Sequence, residues 1–237
     1  MASTIQLQRT INLAQQYIRL APLTFTANTD NDPAFSNADW VMQTILSPSL
    51  GGWRWNRTGA TITVPTFSTV VGQIDYPVDL PDFGWIEKAV GYDPENGNKA
   101  FELQVELIKG GESVPNQPAR IAAQYDDGAG EITFRLFPPP DAVYAIVVEY
   151  QRSAPQFAGI DQTWAPIPDY LSYIYNEGFQ AKALEYSNDP RFMSSMQIFL
   201  TDLAQEAEGL SASQKNIWAA DKLNSLRQTM MVQGGKA

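Results

Sequence analysis

Residues 131–150 read EITFRLFPPPDAVYAIVVEY, and the choice of fold turns on them. Glu131-Ile132-Thr133-Phe134-Arg135-Leu136 alternates polar with apolar side chains, the period-two pattern of a half-buried strand with one wet face. Pro138-Pro139-Pro140-Asp141 is a rigid connector. Val143–Tyr150 is apolar on both faces, which predicts a central strand.

The same period extends upstream. Thr61-Ile62-Thr63-Val64 and Phe101-Glu102-Leu103-Gln104-Val105-Glu106-Leu107 alternate, and each is expected to be a half-buried strand. Asn96-Gly97-Asn98 and Asp126-Asp127-Gly128-Ala129-Gly130 supply turns of hairpin chemistry. The middle of the chain therefore reads as an antiparallel sandwich or small barrel.

On both sides the period becomes helical. Leu7, Ile11, Ala14 and Ile18 form one stripe over residues 3–20, with Ser3 or Thr4 as the cap. A short helix is expected from Ser36 or Asn37 to about Leu46, stopped by Ser47-Pro48. Beyond Pro166 and Pro168, Tyr170, Ile174, Ala181 and Leu184 keep helical spacing. Asn188-Asp189-Pro190 stops and restarts the chain, with Asp189 as N-cap and Pro190 at the first helical position. Phe192, Met196, Phe199, Leu200 and Leu203 stripe the next helix, which ends near Gly209. Ser211 or Ser213 caps a last one carrying Ile217, Leu223, Leu226 and Met230. None of these helices buries its stripe alone. The expected class is therefore α+β: a bundle of N-terminal (1–56) and C-terminal (159–237) helices, with the antiparallel β domain (57–158) inserted between them.

Composition limits the chemistry. The 237 residues include no cysteine and no histidine, so disulfides, thiolate nucleophiles, serine–histidine triads and the commonest metal ligands are absent from the chain. Hydrophobic residues make up 44%, enough for a real core, while only 18% are charged. The net charge of −10 argues against gripping nucleic acid through its phosphates. Residues 57–158 hold most of the acid, and the two flanks are nearly balanced. No apolar run approaches the length of a membrane helix, and the start lacks a signal-peptide pattern. A soluble protein made in the cytoplasm is expected, which makes the Asn56-Arg57-Thr58 sequon a chance match.

Candidate sites each have a plain structural alternative. Asn28-Thr29-Asp30-Asn31-Asp32 matches the start of a calcium loop, but Pro33 stands where glycine is needed and Asp39 where a bidentate glutamate is needed. A solvated Asx-rich turn is the expected reading. Asp75, Asp79 and Asp82 cluster within eight residues, as a glycosidase pair would, yet Pro77 and Pro81 point to a stiff turn. Asp126-Asp127 reads as turn chemistry. Gly51-Gly52 and Gly110-Gly111 lack the lysine and spacing of a phosphate loop. Trp53, Trp55, Tyr76, Phe83 and Trp85 read either as a stacking platform for sugars or a partner, or as plugs between sheet and helices. The second reading is expected. No catalytic residue, metal ligand or cofactor site is assigned.

One ordered series remains: Trp53-Arg54-Trp55-Asn56, then Gly72-Gln73-Ile74-Asp75-Tyr76, then Leu80-Pro81-Asp82-Phe83-Gly84-Trp85-Ile86. Set between helical flanks, it resembles the head-to-tail adaptor proteins of short-tailed and related bacteriophages, of the tail tubular protein A type. In that family an aromatic patch precedes a strand, and a turn of the Leu-Pro-x-Asp-Phe kind leads into the next. Here Val78 and Asp79 lengthen the stretch before Leu80-Pro81, and Asp82-Phe83 follows Pro81 without a spacer. Trp53, Trp55, Tyr76, Pro81 and Phe83 are the residues that carry the match.

The resemblance implies a structural virion protein, not an enzyme. It would form a ring, usually of twelve copies, between the portal protein and the tail nozzle or fibre proteins. DNA would pass through without specific binding, and no membrane or cofactor is involved. An acidic β domain facing the channel would repel phosphates and let DNA slide. Leu226, Met230, Met231 and Val232, ahead of Gly234-Gly235, look like an apolar tail that docks on the portal or the next subunit. The rival reading is a carbohydrate- or receptor-binding β module of a phage tail, and the burial of Trp53, Trp55 and Trp85 separates the two.

Overall fold

The computed structural model describes residues 3–18, 33–106, 114–126 and 131–234. The chain is mixed α and β, and it divides into two compact units. One comprises Met1–Asn56 with Ala154–Ala237, the other Arg57–Ser153.

The helical unit holds five α-helices among the described residues: α1 (Leu7–Ile18), α2 (Pro33–Ile45), α3 (Ser172–Tyr186), α4 (Phe192–Glu206) and α5 (Ala212–Gly234). α3 packs against α1, α2 and α4, and α5 packs on α4. Leu7, Ile11 and Ala14 of α1 are buried, so three of the four residues of its stripe face the core; the side chain of Ile18 lies outside the described residues. The start of α1 corrects the expected cap. The helix begins at Leu7, where the free N–H groups of Leu7 and Gln8 donate to Gln162 O (2.8 Å) and Ile160 O (2.9 Å). Ser3 and Thr4 instead donate to the Asp169 carboxylate, with hydroxyl distances of 2.8 and 2.7 Å. A partner 166 residues away along the chain has replaced the local cap.

Other helix ends follow local chemistry. α2 starts at Pro33, three residues before the expected Ser36, because proline's fixed φ suits the first helical position. Ser47 caps a short 3-10 turn over Pro48–Leu50 rather than simply ending the chain direction. Tyr170 does not join the α3 stripe; it lies in the turn before α3 and is exposed, whereas Ile174, Ala181 and Leu184 are buried. α4 starts at Phe192, with Arg191 and not Asp189 at the cap and Pro190 in the preceding turn; Asp189 braces that turn, accepting from Arg191 N–H (2.9 Å) and pairing with its guanidinium, which holds the Asp189 carboxyl down at about 2. Ser211 N–H donates to Gln214 Oε1 (2.9 Å), the reciprocal bond of a capping box at the head of α5. Gly178 on α3 admits the Phe199 ring of α4, since a Cβ there would sit 2.7 Å from it.

The β unit contains β1 (Arg57–Gly59), β2 (Phe67–Ser68), β3 (Asp75–Val78), β4 (Phe83–Asp93), β5 (Lys99–Val105), β6 (Arg120–Asp126), β7 (Glu131–Phe137) and β8 (Ala145–Arg152). The sheet runs β1-β8-β4-β5-β6-β7-β3, with β2 also paired to β8, and it curls into a half-barrel. Every pairing is antiparallel except β5–β6, which is parallel over Gln104↔Arg120 and Val105↔Ile121. The sheet is therefore mixed, not wholly antiparallel as expected. β8 lies inside the sheet, between β4 on one edge and β1 and β2 on the other. Its core contains Ile86, Leu103, Ile121, Phe134, Leu136, Ile146 and Val148.

Thr61–Val64 is not a strand. Thr61 and Val64 exchange backbone hydrogen bonds (3.0 and 3.1 Å) around Ile62-Thr63, and all four residues are exposed. Four alternating residues are enough to imitate a strand, but here the chain closes on itself between β1 and β2. The β4–β5 turn has left-handed Gly97 and Asn98 (φ 67° and 61°), with the Asp93 carboxylate accepting from Glu95 N–H. Gly128-Ala129-Gly130 and Asp127 lie outside the described residues.

Candidate functional site

The aromatic series is shared between the two units. In the helical unit Trp53 is 3% exposed, and its indole N–H donates to Ile45 O at the end of α2 (2.7 Å). Trp55 leans on it with ring centres 5.3 Å apart. The Trp55 side chain is half-buried, and its Nε1 is buried without a hydrogen-bond partner among the described residues. Between them Arg54 turns outward and reaches Glu208 (3.4 Å). Gly51, at φ 79°, lies against Gly209 so closely that a Cβ on Gly209 would meet Gly51 O at 2.5 Å. Trp218 of α5 donates to Ser49 Oγ (2.8 Å). The loop carrying Trp53 and Trp55 is thus fastened to the α4–α5 turn and to α5.

In the β unit the series builds an edge. The Tyr76 hydroxyl accepts from Val70 N–H (3.1 Å) and lies 2.9 Å from Gln73 O, which fixes the loop around Gly72. Burial pushes this phenol's pKa up. Its ring stacks on Phe67 at 4.7 Å. Pro81 is exposed at the second position of a turn closed by Phe83 N–H to Leu80 O (3.0 Å). Phe83 then packs against Tyr150 and Phe134, 5.3 and 5.8 Å away.

The three acids near these rings do not converge. Asp75 is bidentate with Arg135 (2.7 and 2.8 Å), which holds its carboxyl below the usual range. Asp82 accepts from the Tyr150 hydroxyl (2.8 Å) and pairs with Arg152 (3.3 Å). The Asp82 contact, after burial, pushes the Tyr150 phenol to about 12. Asp79 is exposed. Each of Asp75 and Asp82 has its own cation, an arrangement of a braced edge rather than of a carboxylate pair working together.

Trp85 has a different setting. β5 pairs with β4 as far as Ala89↔Leu103 and then swings to β6 from Gln104 onward. That departure opens a split in the sheet, a cleft of about 570 Å³ lined by Phe83–Ile86, Val105, Glu106, Ala122, Ala123 and Ile132. Trp85 is half-buried on its wall. A second hollow of about 550 Å³ lies over Thr58–Thr61, Val64–Thr66, Val78–Leu80 and Tyr150.

Asn28–Asp32 and the side chains of Asp126, Met230, Met231 and Val232 lie outside the described residues. Asp39 is engaged as an acceptor from Phe157 N–H (2.8 Å), and burial pushes its carboxyl up. Among the described residues no three acidic side chains are placed to hold a metal ion, and no helix is long and apolar enough to cross a membrane. Leu226 is partly buried against the helical core. Elsewhere α5 buries Ala219 and Leu223 and leaves Ile217 60% exposed.

One cluster escaped the sequence reading. Glu177 on α3 stands against Asp202 on α4, and Tyr173, one turn before Glu177, donates to Glu206 (2.8 Å). The only trace in the sequence is the four-residue spacing of Tyr173 to Glu177 and of Asp202 to Glu206, which is common on solvated helix faces. No family model matches this chain, and no curated protein matches it.

Proposed function

We propose that the chain is a ring-forming head-to-tail adaptor of a bacteriophage, joining the portal protein to the tail nozzle. The observation that carries this reading is α5. It is 23 residues long, packs chiefly on α4, and over its described length leaves most side chains exposed. A polar helix of this length has little reason to stand clear of its own core unless another chain covers it. Its last turns carry Leu226, Met230, Met231 and Val232, the proposed contact with the portal or the next subunit. The helices on both flanks form one bundle in this reading, and the β unit is the inserted barrel-like module directed towards the tail.

Charge supports the same placement. Arginines pair with Glu87, Asp75, Asp82 and Glu106 of the β unit, while Asp79, Glu95, Glu102, Glu131 and Asp141 remain exposed. Such a surface repels phosphate and suits a channel through which DNA slides. The test is a label on this chain in the native lysate, followed by size fractionation and electron microscopy. Label at the vertex where head meets tail, in many copies per particle, is the expected result. Label on fibres or on a free monomer would overturn the proposal.

The cleft beside Trp85 favours a second reading, a carbohydrate- or receptor-binding module. Burial of Trp53 and the leaning of Trp55 on it count against a shared tryptophan platform, so this reading rests on Trp85 alone. It predicts saturable glycan binding on an array that Trp85→Ala lowers by up to about tenfold, the size of one lost stacking contact. Equal binding by wild type and Trp85→Ala would remove it.

A further inference from the structure

The sequence holds a single Asn-Gly pair, Asn96-Gly97, and the fold presents it at the tip of the hairpin between β4 and β5. Pairing of the two strands ends at Asp93↔Lys99, and Pro94 to Asn98 are all exposed. Gly97 is left-handed (φ 67°), and nothing stands within 4 Å of where a Cβ would be. Its N–H donates to no acceptor among the described residues. A backbone nitrogen that is unbonded, unshielded by a side chain and open to water therefore follows a carboxamide. From that pairing a five-membered ring can close.

One side chain opposes that closure. Asp93, the last residue of β4, accepts from Glu95 N–H (3.0 Å) and Asn96 N–H (3.3 Å) through Oδ1, and from the Asn96 carboxamide through Oδ2. The two oxygens act on different groups. Oδ1 braces the backbone of the turn, whereas Oδ2 holds the amide that must swing towards Gly97 before any ring forms. These bonds, the one from the Asn96 carboxamide first, keep the Asp93 carboxyl below its ordinary range, so the acceptor is ionised at neutral pH.

We propose that Asn96-Gly97 is a site of spontaneous backbone modification, and that Asp93 sets its pace by holding the Asn96 amide. The Gly97 nitrogen attacks Asn96 Cγ and forms the ring C–N bond of a succinimide. The C–N bond of the carboxamide breaks, and its nitrogen leaves as ammonia with the proton that Gly97 gives up. Water then adds to one of the two ring carbonyls and reopens the chain, as aspartate or as a β-linked aspartyl residue with one more methylene in the main chain. Either product replaces the neutral amide with a carboxylate set against that of Asp93, and so ends the bond that Oδ2 made. Asn98, followed by Lys99 rather than glycine, is the internal control.

The experiment keeps the native protein at pH 8 and follows the tryptic peptide Ala89–Lys99, which carries both asparagines, by fragmentation mass spectrometry. Wild type should gain aspartyl and β-aspartyl products at residue 96 while Asn98 stays intact. Asp93→Asn keeps an Oδ1 acceptor for the two backbone N–H groups and replaces Oδ2 by a donor, so it frees the amide without unbracing the turn. Pro94 has no N–H, which keeps the new asparagine from reacting likewise. Conversion at residue 96 in that variant is expected to run on the order of fivefold faster, the size of one exposed bond to a charged group. An Asp93 that only braced the turn would leave the rate at that of wild type, and equal rates overturn its part. A synthetic peptide of residues 89–99 supplies the unfolded reference. Residue 96 intact in native wild type after this peptide has converted would overturn the site itself. If Asp93→Asn does not fold, native wild type against the peptide decides. Slower conversion in the native chain supports the hold by Asp93, and equal conversion overturns it.

Discussion

Replacing Trp164 by alanine is expected to lower the stability of the helical unit by about 4 kcal/mol, the middle of the range for removing a buried large aromatic ring. Trp164 is wholly buried, and its ring lies flat on Tyr175 with centres 4.5 Å apart and planes within 5°. Phe157 meets it edge-on at 5.0 Å. Its indole N–H donates to Thr10 Oγ1 (3.0 Å), and Thr10 in turn donates to Asn176 (2.9 Å), so one side chain links the loop before α3 to α1 and α3. Alanine would leave a cavity, end both ring contacts and strip Thr10 of its donor. Trp164→Phe keeps most of the volume and the stacking, and should cost about 1–2 kcal/mol. Denaturant unfolding followed by far-ultraviolet circular dichroism, which reports mainly on helix, measures both. A loss below about 2 kcal/mol for alanine would contradict a closed, rigid aromatic cluster. Two units in one chain make a single transition unsafe to assume, so tryptophan fluorescence should be recorded alongside.

What the sequence disclosed depended on how local the cause was. β7 and β8 were legible because alternation and continuous apolarity are direct consequences of facing one or two layers. The same pattern misled at Thr61–Val64, where four residues were too few to distinguish a strand from the turn they make. β4, the longest strand among the described residues, was hidden: Gly84 and Gly91 interrupt its pattern, and irregular register between Phe83 and Trp85 and between Ile86 and Lys88 shifts side chains off strict alternation. Gly91 is there because Phe101 crosses it, with the ring 2.1 Å from where a Cβ would stand. The parallel pairing of β5 with β6 spans two residue pairs and leaves no periodic mark. Among candidate residues, the aromatic motif was readable as residue types in order, but the partners its rings and polar atoms meet were not. The Glu177–Asp202 contact was invisible, because burial of a carboxyl is decided by which helix lies opposite and not by its own neighbours.

On the adaptor proposal, removal of residues 224–237 is expected to abolish assembly of the chain into a particle while leaving the far-ultraviolet circular dichroism of the monomer close to native. The argument rests on how unevenly α5 is attached. Its first half is held by the capping box at Ser211, by Trp218 donating to Ser49, and by burial of Ala219 and Leu223. Past Leu223 the only described apolar side chain packed against the helical core is Leu226, and it is only partly buried. Truncation after Leu223 therefore removes one partial apolar contact from the fold, a cost of about 1 kcal/mol for such incomplete burial. The same cut removes the apolar run Met230-Met231-Val232, the densest cluster of unbranched and branched aliphatic groups at this end of the chain. In the proposed ring, contacts multiply over copies, so a modest loss at each interface is compounded over the whole assembly. The measurement is sedimentation of the truncated chain with its particle components, paired with the dichroism of the isolated chain. Retained assembly would show that α5 serves only its own unit and would move the docking surface elsewhere. Lost assembly with a collapsed spectrum would instead show that the last turns are structural, and a second cut after Leu226 then separates the roles. That cut keeps the partial core contact and removes only the run, so a folded monomer that still fails to assemble assigns Met230, Met231 and Val232 to the interface.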